Sequence, residues 1–473
     1  MPLILGAQSA IGAADVVTNS CRFNDGDAVQ LYRAVSVEGN RKVWTISFWF
    51  KKGNAVGCRL WAQGNTPSQN PSTMFELGAS GAMTIFSYTG SYPFILEPSA
   101  KLKDPSAWYH LVVSFDSTPS TPSSSSIKFF INGTQQTAFS TETYPAQDFE
   151  TEINNTTYDS YAAAYDGGNY FDGYMAEFCL IDGTAYDASD FGEFNTDSPT
   201  IWQPKDVSEL TFGTNGFYLD FEDSSALGTD AAGSNNLTAT NLAAVDQCID
   251  TPVNNFATLN SVDNYYQAAT FSEGNNTIVT GSDKYGPSTS TLGMSAGKWY
   301  WEVKPTARGG GNDYLIGVTS TQLQATTEEL GHFPNDWAYY SSNGYYRNNN
   351  GTTSYGDSWD TDDIIGFALD LDNNKLYFSK TNVWQNSGDP TSGATGTGAI
   401  SITAPASTPL GAYFAGVAYW DSGTATINAN FGGCSAFALT SAESDENGYG
   451  NFEYEPPSGY LALCTKNLGS DGG

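Results

Sequence analysis

The sequence of 473 residues is poor in basic side chains: 19 lysines and arginines stand against 51 aspartates and glutamates, and the net charge is −32. Nucleic acids and anionic membranes are bound by clustered lysine and arginine, so we predict neither as a partner. Two explanations of the acidic surface remain open. It keeps the protein soluble in a salty medium that screens repulsion, or its acidic loops recruit Ca²⁺ or a basic partner.

Histidine and cysteine are also scarce, with two and six residues, and no CxxC pair occurs. These counts argue against a structural zinc site and against a disulfide scaffold, so we expect mostly buried free thiols made in a reducing cytoplasm. No run of about 18 apolar residues is present, so we expect no membrane insertion. The N-terminus does not have the pattern of a signal peptide. The sequence contains no sustained heptads, so we predict no coiled-coil stalk.

Aromatic residues and glycine are abundant instead, with 28 tyrosines, 27 phenylalanines, 11 tryptophans and 49 glycines. Long windows of helix-forming residues are missing. This composition favours strands joined by many turns, so we predict an all-β chain. Its length is that of two or three domains.

Two series of alternating strands divide the chain, and each predicts an antiparallel β-sandwich. Residues 21–223 contain the first series, in segments such as VWTISFWFKK, AWYHLVVSFD and NGFYLDFED. Residues 261–473 contain the second, in segments such as KWYWEVKP, DIIGFALDLD and KLYFSK. Asp372, Asn373 and Asn374 join the last two segments, because Asx side chains bond their own backbone in tight turns.

The remaining segments carry small or polar residues and no regular alternation. Residues 224–260 are polar and irregular, which predicts a linker packed between two domains. Residues 1–20 are small and weakly apolar, which predicts a short extended N-terminal arm. Such an arm either docks on a partner or is disordered.

The order of the strand segments resembles two known families. In residues 21–223, the segments WTISFWFK, WYHLVVSFD, FFINGTQ and FDGYMAEFCLIDGTAY resemble a laminin-G-like, concanavalin A-like jelly roll. In residues 265–435, the segments GKWYWEVKP, LIGVTS, GDSWDTDDIIGFALDLDNNKLYFSK and INANFGG resemble a SPRY domain. The second resemblance implies a β-sandwich that binds through its loops and has no catalytic apparatus of its own. Its loops are rich in Asn, Gly and Ser, so the ligands of animal recognition domains are not carried over.

The whole layout resembles a set of marine bacteriophage virion proteins. The matching segments are the opening MPLILG, the strand RFNDGD, the junction LDFEDSSALGTD to TPVNNFATLN and the late segment SGYLALCTKNL. This resemblance implies a tail fibre, tail appendage or capsid fibre, assembled in the host cytoplasm and exposed on the outside of the virion. It also implies that the arm docks on other virion proteins, and a homo-oligomer on the virion is compatible with it.

One aromatic-rich segment, HFPNDWAYYSSNGYYRNNNG, suggests a ligand site in the second domain. Aromatic faces cover the C–H side of a sugar ring, and planar polar side chains take its hydroxyls, so we expect a host surface glycan. SPRY loops converge on one end of the sandwich, which adds residues from later segments. The candidate ligand-binding residues are Trp337, Tyr339, Tyr340, Tyr345, Tyr346, Arg347, Tyr355 and Trp420. GSYPF at residues 90–94 is a second, weaker patch.

No cofactor is required by this interpretation, but Ca²⁺ is a candidate. Laminin-G-like rims often hold one Ca²⁺ through acidic loop residues, and the candidates here are Asp166, Asp172, Asp182 and Asp187. Ordinary turn chemistry explains the same residues. The pattern Asp370-x-Asp372-x-Asn374 mimics an EF-hand loop, but Lys375 stands where that loop needs glycine.

Hydrolysis is the enzymatic alternative. Jelly-roll glucanases carry carboxylates in a Glu-x-Asp-x-Glu arrangement, which places all three on one face of a strand. The nearest match is Asp220 and Glu222 in LDFED, which lacks the third carboxylate. We therefore predict no enzyme, but an adhesive protein that binds glycan weakly. The alternatives are a passive capsid-decorating or spacer protein and a glycan depolymerase.

Overall fold

The computed structural model describes residues 16–54, 56–66, 68–165, 167–264, 268–281, 287–309, 313–321, 328–420 and 423–471. Strands account for 40% of the chain and helices for 6%, which confirms the all-β prediction. The chain divides into two compact units, and the boundary lies between Val253 and Asn254. In the described part of the chain, no helix has the length and apolar character needed to cross a bilayer.

The first domain, described from residue 16 to residue 253, contains two large antiparallel sheets and a short hairpin. Its strands are β1 (Ser20–Phe23), β2 (Gln30–Arg33), β3 (Val43–Lys52), β4 (Cys58–Gly64), β5 (Ser72–Leu77), β6 (Met83–Tyr88), β7 (Phe94–Pro98), β8 (Trp108–Asp116), β9 (Ile127–Ile131), β10 (Thr134–Gln135), β11 (Phe139–Thr143), β12 (Ser160–Ala162), β13 (Gly173–Asp182), β14 (Gly192–Phe194), β15 (Trp202–Pro204), β16 (Phe217–Leu219), β17 (Thr238–Thr240) and β18 (Gln247–Cys248).

Sheet A of this domain has the order β10-β9-β8-β3-β13-β1-β18, and β16 also pairs with β13. Sheet B has the order β11-β7-β6-β5-β4-β12-β2-β17, and β14 and β15 form the hairpin. The alternation of β3 places Trp44, Ile46, Phe48 and Phe50 in the core, where all four are fully buried. Their partners include Phe115, whose ring stacks on that of Trp44 with centroids 4.8 Å apart.

The segment expected to be a linker, residues 224–260, is instead divided between the two domains. Strand β17 adds to the edge of sheet B beside β2, and β18 adds to sheet A beside β1. Leu227 and Leu237 pack into the core of the first domain, whereas Phe256 and Leu259 are buried in the second. These apolar anchors hold a polar segment to folded structure, so the part of the chain between the sandwiches is short.

The second domain contains two further sheets. Its strands are β19 (Thr270–Ser272), β20 (Thr277–Val279), β21 (Ser288–Thr289), β22 (Lys298–Arg308), β23 (Asp313–Thr319), β24 (Asp336–Tyr340), β25 (Tyr345–Asn348), β26 (Gly351–Ser354), β27 (Ile365–Asp370), β28 (Lys375–Lys380), β29 (Val383–Trp384), β30 (Ile400–Ser401), β31 (Phe414–Trp420), β32 (Ala425–Asn430) and β33 (Leu461–Ala462), and helix α1 (Thr465–Asp471) follows them.

The first of these sheets has the order β19-β20-β32-β22-β27-β28-β29, and the second has the order β21-β31-β23-β24-β25-β26. Strand β30 pairs with β28, and β33 pairs with β22 in the parallel direction. The β27–β28 hairpin turns at residues 371–374, as the sequence predicted. Ile365, Phe367, Leu369, Leu376 and Phe378 from this hairpin are fully buried in the core.

The remaining expectations concern the arm and the thiols. Residues 1–15 of the predicted arm, which spans residues 1–20, lie outside the described residues, and Ser20 already belongs to β1. Four cysteines are free and buried, as expected: Cys21, Cys58, Cys179 and Cys464. Burial raises the pKa of the Cys58 and Cys464 thiols to about 12, so these thiols stay protonated at neutral pH.

Candidate functional site

Most of the predicted ligand residues of the second domain are core residues. Trp337, Tyr339 and Tyr355 are 4%, 0% and 6% exposed, and Tyr346 packs against the same core. The period of two along β24 explains the error, because Trp337 and Tyr339 point to the inner face of the sheet. The side chains of Trp337, Tyr339 and Tyr355 are therefore buried away from a sugar ring, and Tyr346 is half-buried.

Tyr340 and Arg347 lie on the opposite, outer face of this sheet but are also covered. The Arg347 guanidinium donates to the Tyr340 hydroxyl at 2.7 Å, donates to the Asn350 side-chain oxygen and pairs with Glu329. Both terminal nitrogens of the guanidinium are therefore engaged within the domain. Of the eight predicted residues, Tyr345 and Trp420 present aromatic surface to solvent, each with 38% exposure.

The described calcium candidates form no common site. Asp182 accepts bonds from the Asn40 N–H at 2.7 Å and the Asn215 N–H at 3.0 Å, and so joins two loops. Asp187 pairs with the Lys128 ammonium at 2.6 Å. Asp172 is buried and accepts from a backbone N–H at 3.3 Å. These contacts are structural, and Asp166 lies outside the described residues.

One three-residue group in the described part of the chain brings possible metal ligands together. Its members are Glu328, Glu329 and His332, with ligand atoms within 4.8 Å of one another. Glu329 already neutralises Arg347, and Glu328 lies 2.9 Å from His332 Nδ1. These internal pairs account for the group without an ion.

A GxSxG pattern, GMSAG at residues 293–297, also occurs in the second domain. A nucleophile elbow needs this pattern in a sharp turn between a strand and a helix. Here the pattern leads directly into strand β22, which starts at Lys298. The Met294 N–H donates to the carbonyl of Tyr413, and the Gly297 N–H donates to the Asp372 side chain. The turn therefore has a structural role.

The first domain carries an open aromatic groove on the outer face of sheet B. Alternation along three neighbouring strands builds its floor, because inward residues such as Phe75 and Ile85 fill the core and their neighbours point outward. The outward residues are Glu76 on β5, Thr84, Phe86 and Tyr88 on β6, and Ile95 and Glu97 on β7. The groove has a volume of about 470 Å³.

Tyr92 stands at one end of this groove, in the turn between β6 and β7. Its ring is 51% exposed, and its centroid lies 5.5 Å from that of Phe86 and 5.2 Å from that of Tyr88. Beneath the rings, Met74 and Tyr161 belong to a buried apolar cluster that supports them. Tyr92 lies in GSYPF, the weaker of the two predicted patches.

Two ion pairs supply the polar side of the groove. Arg59 Nη1 lies 2.9 Å from Glu76 Oε2. Glu97 Oε1 accepts from Ser140 Oγ at 2.6 Å and from Lys101 Nζ at 2.9 Å. The Ser140 and Lys101 hydrogen bonds lower the pKa of Glu97, so its carboxylate is charged at neutral pH. The groove therefore combines aromatic faces with fixed planar polar groups.

Sequence reasoning missed the polar half of this groove. Arg59, Glu76 and Glu97 come from three separate strands, and only sheet B brings them together. A partial signal was present in STMFEL, MTIFSY and FILEP, where buried apolar residues alternate and leave Glu76, Thr84 and Glu97 on the opposite face.

Comparison with known families agrees with this architecture. A model described as the concanavalin A-like lectin/glucanases superfamily matches residues 23–187, and the SPRY domain model matches residues 298–403. The chain carries a concanavalin A-like domain followed by a SPRY domain. The groove belongs to the concanavalin A-like domain, since its residues fall inside the first match. No curated protein matches the chain.

Several solved structures are similar to part of the chain. The SPRY domain of human HERC1 is 15% identical, with a TM-score of 0.24, and the match covers 34% of this chain and 90% of that one. The PSpry domain of TRIM65 is 16% identical, with a TM-score of 0.27, and the match covers 37% and 91%. Stonustoxin is 19% identical, with a TM-score of 0.27 over 37% of this chain and 27% of that one.

Proposed function

We propose that the chain is a non-enzymatic binding protein that holds carbohydrate in the groove of its concanavalin A-like domain. The observation that carries this proposal is the exposed Tyr92 ring beside Tyr88 and Phe86, next to fixed carboxylate and guanidinium groups. Stacking on the C–H face of a sugar and hydrogen bonding to its hydroxyls need this combination. Concanavalin A-like and SPRY domains are both consistent with carbohydrate or protein binding.

The state of the carboxylates favours binding over hydrolysis. A glycosidase needs a carboxylic acid with a raised pKa to protonate the leaving group, opposite a second carboxylate. In the groove, the pKa of Glu97 is lowered by its hydrogen bonds, and Glu76 is paired with Arg59. Glu97 is therefore an acceptor and not a proton donor. Release of reducing ends from a bound polysaccharide would instead favour the depolymerase alternative.

We further propose that this binding serves adhesion on the surface of a bacteriophage virion. The support is the resemblance of sequence segments along nearly the whole chain to marine phage virion proteins. In this setting the N-terminal arm docks on other virion proteins, and the groove faces the host. Many copies on one particle convert weak single sites into firm attachment through effective concentration. A passive decorating or spacer protein is the alternative.

The groove is tested by replacing its exposed ring. In Tyr92→Ala the stacking surface is lost while the buried cluster beneath it remains, so binding to host surface polysaccharide should weaken by about tenfold or more. Affinity electrophoresis in gels containing the polysaccharide measures this. The matched control is Phe194→Ala, which removes a 45% exposed aromatic ring from the β14–β15 hairpin of the same domain. Equal retention of both variants would contradict the proposal.

The setting is tested separately by locating the protein. Immunogold electron microscopy of intact particles should place label on tail or capsid fibres. Adsorption of particles that carry Tyr92→Ala should then fall relative to particles that carry Phe194→Ala. Label with unchanged adsorption would favour the passive decorating protein, and unlabelled particles would contradict a virion location.

A further inference from the structure

We infer that the groove selects an uncharged glycan chain over an anionic one. This inference rests on the proposed carbohydrate binding and adds the chemical class of the ligand. It follows from how the two acidic side chains of the groove, Glu76 and Glu97, are paired with Arg59 of the groove and with Lys101 behind Glu97. Each cation is already paired with one of the acids, so the described lining of the groove offers polar contacts without an unpaired cation to attract a uronate or sulfate group.

The Arg59 guanidinium is held from two sides. Its Nη1 lies 2.9 Å from Glu76 Oε2, and its Nε donates to the Met74 sulfur at 3.3 Å. The Arg59 side chain is 11% exposed, against 35% for Glu76. A sugar in the groove therefore meets the carboxylate before it meets the guanidinium. An anionic sugar that recruited Arg59 would therefore compete with Glu76 for the same guanidinium.

The second pair leads to the same conclusion. Lys101 Nζ donates to Glu97 Oε1 at 2.9 Å, four residues along the chain. The other oxygen, Oε2, accepts from Thr84 Oγ1 at 3.2 Å, and Ser140 donates to Oε1. Glu97 thus holds three donors, and its lowered pKa keeps it charged when a ligand arrives. An anionic sugar beside it would meet a like charge at close range.

The charge of the whole chain acts in the same direction. A net charge of −32 opposes the approach of any polyanion, and a neutral polysaccharide experiences no such repulsion. The contacts that remain for a neutral ligand are the rings of Tyr88 and Tyr92 for C–H faces, and Ser68, Gln69 and the paired carboxylates for hydroxyls. These interactions depend little on salt, because none is a pairing of net charges.

The test compares matched neutral and anionic polysaccharides on the full chain. Immobilised protein is exposed by biolayer interferometry to mannan, dextran and laminarin, and to alginate and hyaluronan, at 50 mM and 500 mM NaCl. We expect binding of a neutral polysaccharide whose Kd changes less than about twofold with salt, because screened charge pairs do not contribute. Tyr92→Ala should weaken that binding about tenfold or more, and Phe194→Ala should not.

Two other outcomes separate this inference from the proposed function. Binding of alginate or hyaluronan that depends on Tyr92 and weakens with salt would overturn the selection of neutral chains and leave carbohydrate binding in place. Binding of none of the five polysaccharides, or binding unaffected by Tyr92→Ala, would count against both the selection and the groove itself.

Discussion

Lys51 and Asp250 form a buried ion pair in the first domain, with Nζ and Oδ2 2.7 Å apart and both side chains 1% exposed. The other carboxylate oxygen of Asp250 accepts from the Trp108 indole N–H at 3.0 Å. Burial lowers the pKa of Lys51, and the charge of Asp250 opposes that shift. Asp250 comes from the segment that the sequence predicted to be a linker. The pair therefore joins this segment to strands β3 and β8.

Removing one partner of this pair should destabilise the first domain strongly. Asp250→Ala leaves the Lys51 ammonium buried without its counterion, and we expect a loss of about 3–5 kcal/mol in the free energy of unfolding. Urea denaturation followed by tryptophan fluorescence measures the loss. The control is Asp197→Ala, an exposed aspartate of the same domain, which should stay within about 0.5 kcal/mol of wild type. Equal midpoints for the two variants would show that the pair does not anchor the segment.

The two sandwiches could be predicted from the sequence because the buried residues of a strand recur at every second position. Segments such as VWTISFWFKK and DIIGFALDLD carry that signal within one strand. The segment from residue 224 to residue 253 carries no such signal, because its anchors are isolated. Leu227, Leu237 and Asp250 are separated by polar turns, and each acquires a partner only when distant strands are already in place. A linker prediction from local composition misses anchors of this kind.

The burial of most predicted ligand residues in the second domain has a related cause. A cluster of aromatic residues in sequence indicates either a binding surface or a core, and composition does not separate the two. In β24 the alternation places Trp337 and Tyr339 inside, whereas the groove on the first domain draws Arg59, Glu76 and Glu97 from three strands. Sheet assembly, which is non-local, decides which aromatic rings reach solvent.

Two aromatic substitutions in the second domain should therefore behave differently. Trp337→Ala removes a 4% exposed indole from the core and should cost about 3–5 kcal/mol through the lost burial and the cavity left behind. Tyr345→Ala removes a ring that is 38% exposed and should cost about 1 kcal/mol or less. Thermal unfolding of the two variants checks the difference. An unfolding temperature of Trp337→Ala equal to that of wild type would show that this tryptophan is not a core residue.

His110 should stay neutral far below its ordinary pKa. Its ring stacks on Trp49 with centroids 4.5 Å apart, and its Nδ1 accepts from the Trp202 indole N–H at 2.8 Å. The proton therefore resides on Nε2, which lies 2.9 Å from Ser47 Oγ and donates to it. Burial lowers the pKa of His110 to about 3.

From this lowered pKa we predict that His110 makes the folded chain less stable in acid. Below about pH 6.5 the unfolded chain takes up a proton at His110 that the folded chain does not, so this residue lowers stability by up to about 1.4 kcal/mol per pH unit as the pH falls toward 3. Nitrogen-15 NMR of labelled histidine should show the neutral Nε2–H form of His110 from pH 8 to pH 4. A His110 resonance that titrates near 6.5 would contradict the burial argument.

Glu177 should have the opposite effect on the pH dependence of stability, because it destabilises the folded chain more as the pH rises. It sits at the β-bulge of β13 with a positive φ of 52°, and its carboxyl lies 2.7 Å from the Tyr218 hydroxyl. Burial raises its pKa to about 8, and the charges of Asp220 and Glu222 add to the shift, which the Tyr218 hydrogen bond partly offsets. Between about pH 4.5 and pH 8 the folded chain therefore holds a proton that the unfolded chain has lost, and stability falls as the pH rises.

Glu177→Gln removes this titration while keeping an oxygen to accept the Tyr218 hydrogen bond. The free energy of unfolding of the variant should therefore rise relative to that of wild type as the pH increases, by up to about 1.4 kcal/mol per pH unit between pH 4.5 and pH 8. Below pH 4.5 the two free energies should change with pH in the same way. Urea unfolding across this range measures the difference. The control is Glu209→Gln, which makes the same substitution at an exposed position of the same domain. A flat difference for Glu177→Gln would mean that Glu177 is ionised in the folded state and that its buried carboxylate is compensated by neighbours other than Tyr218.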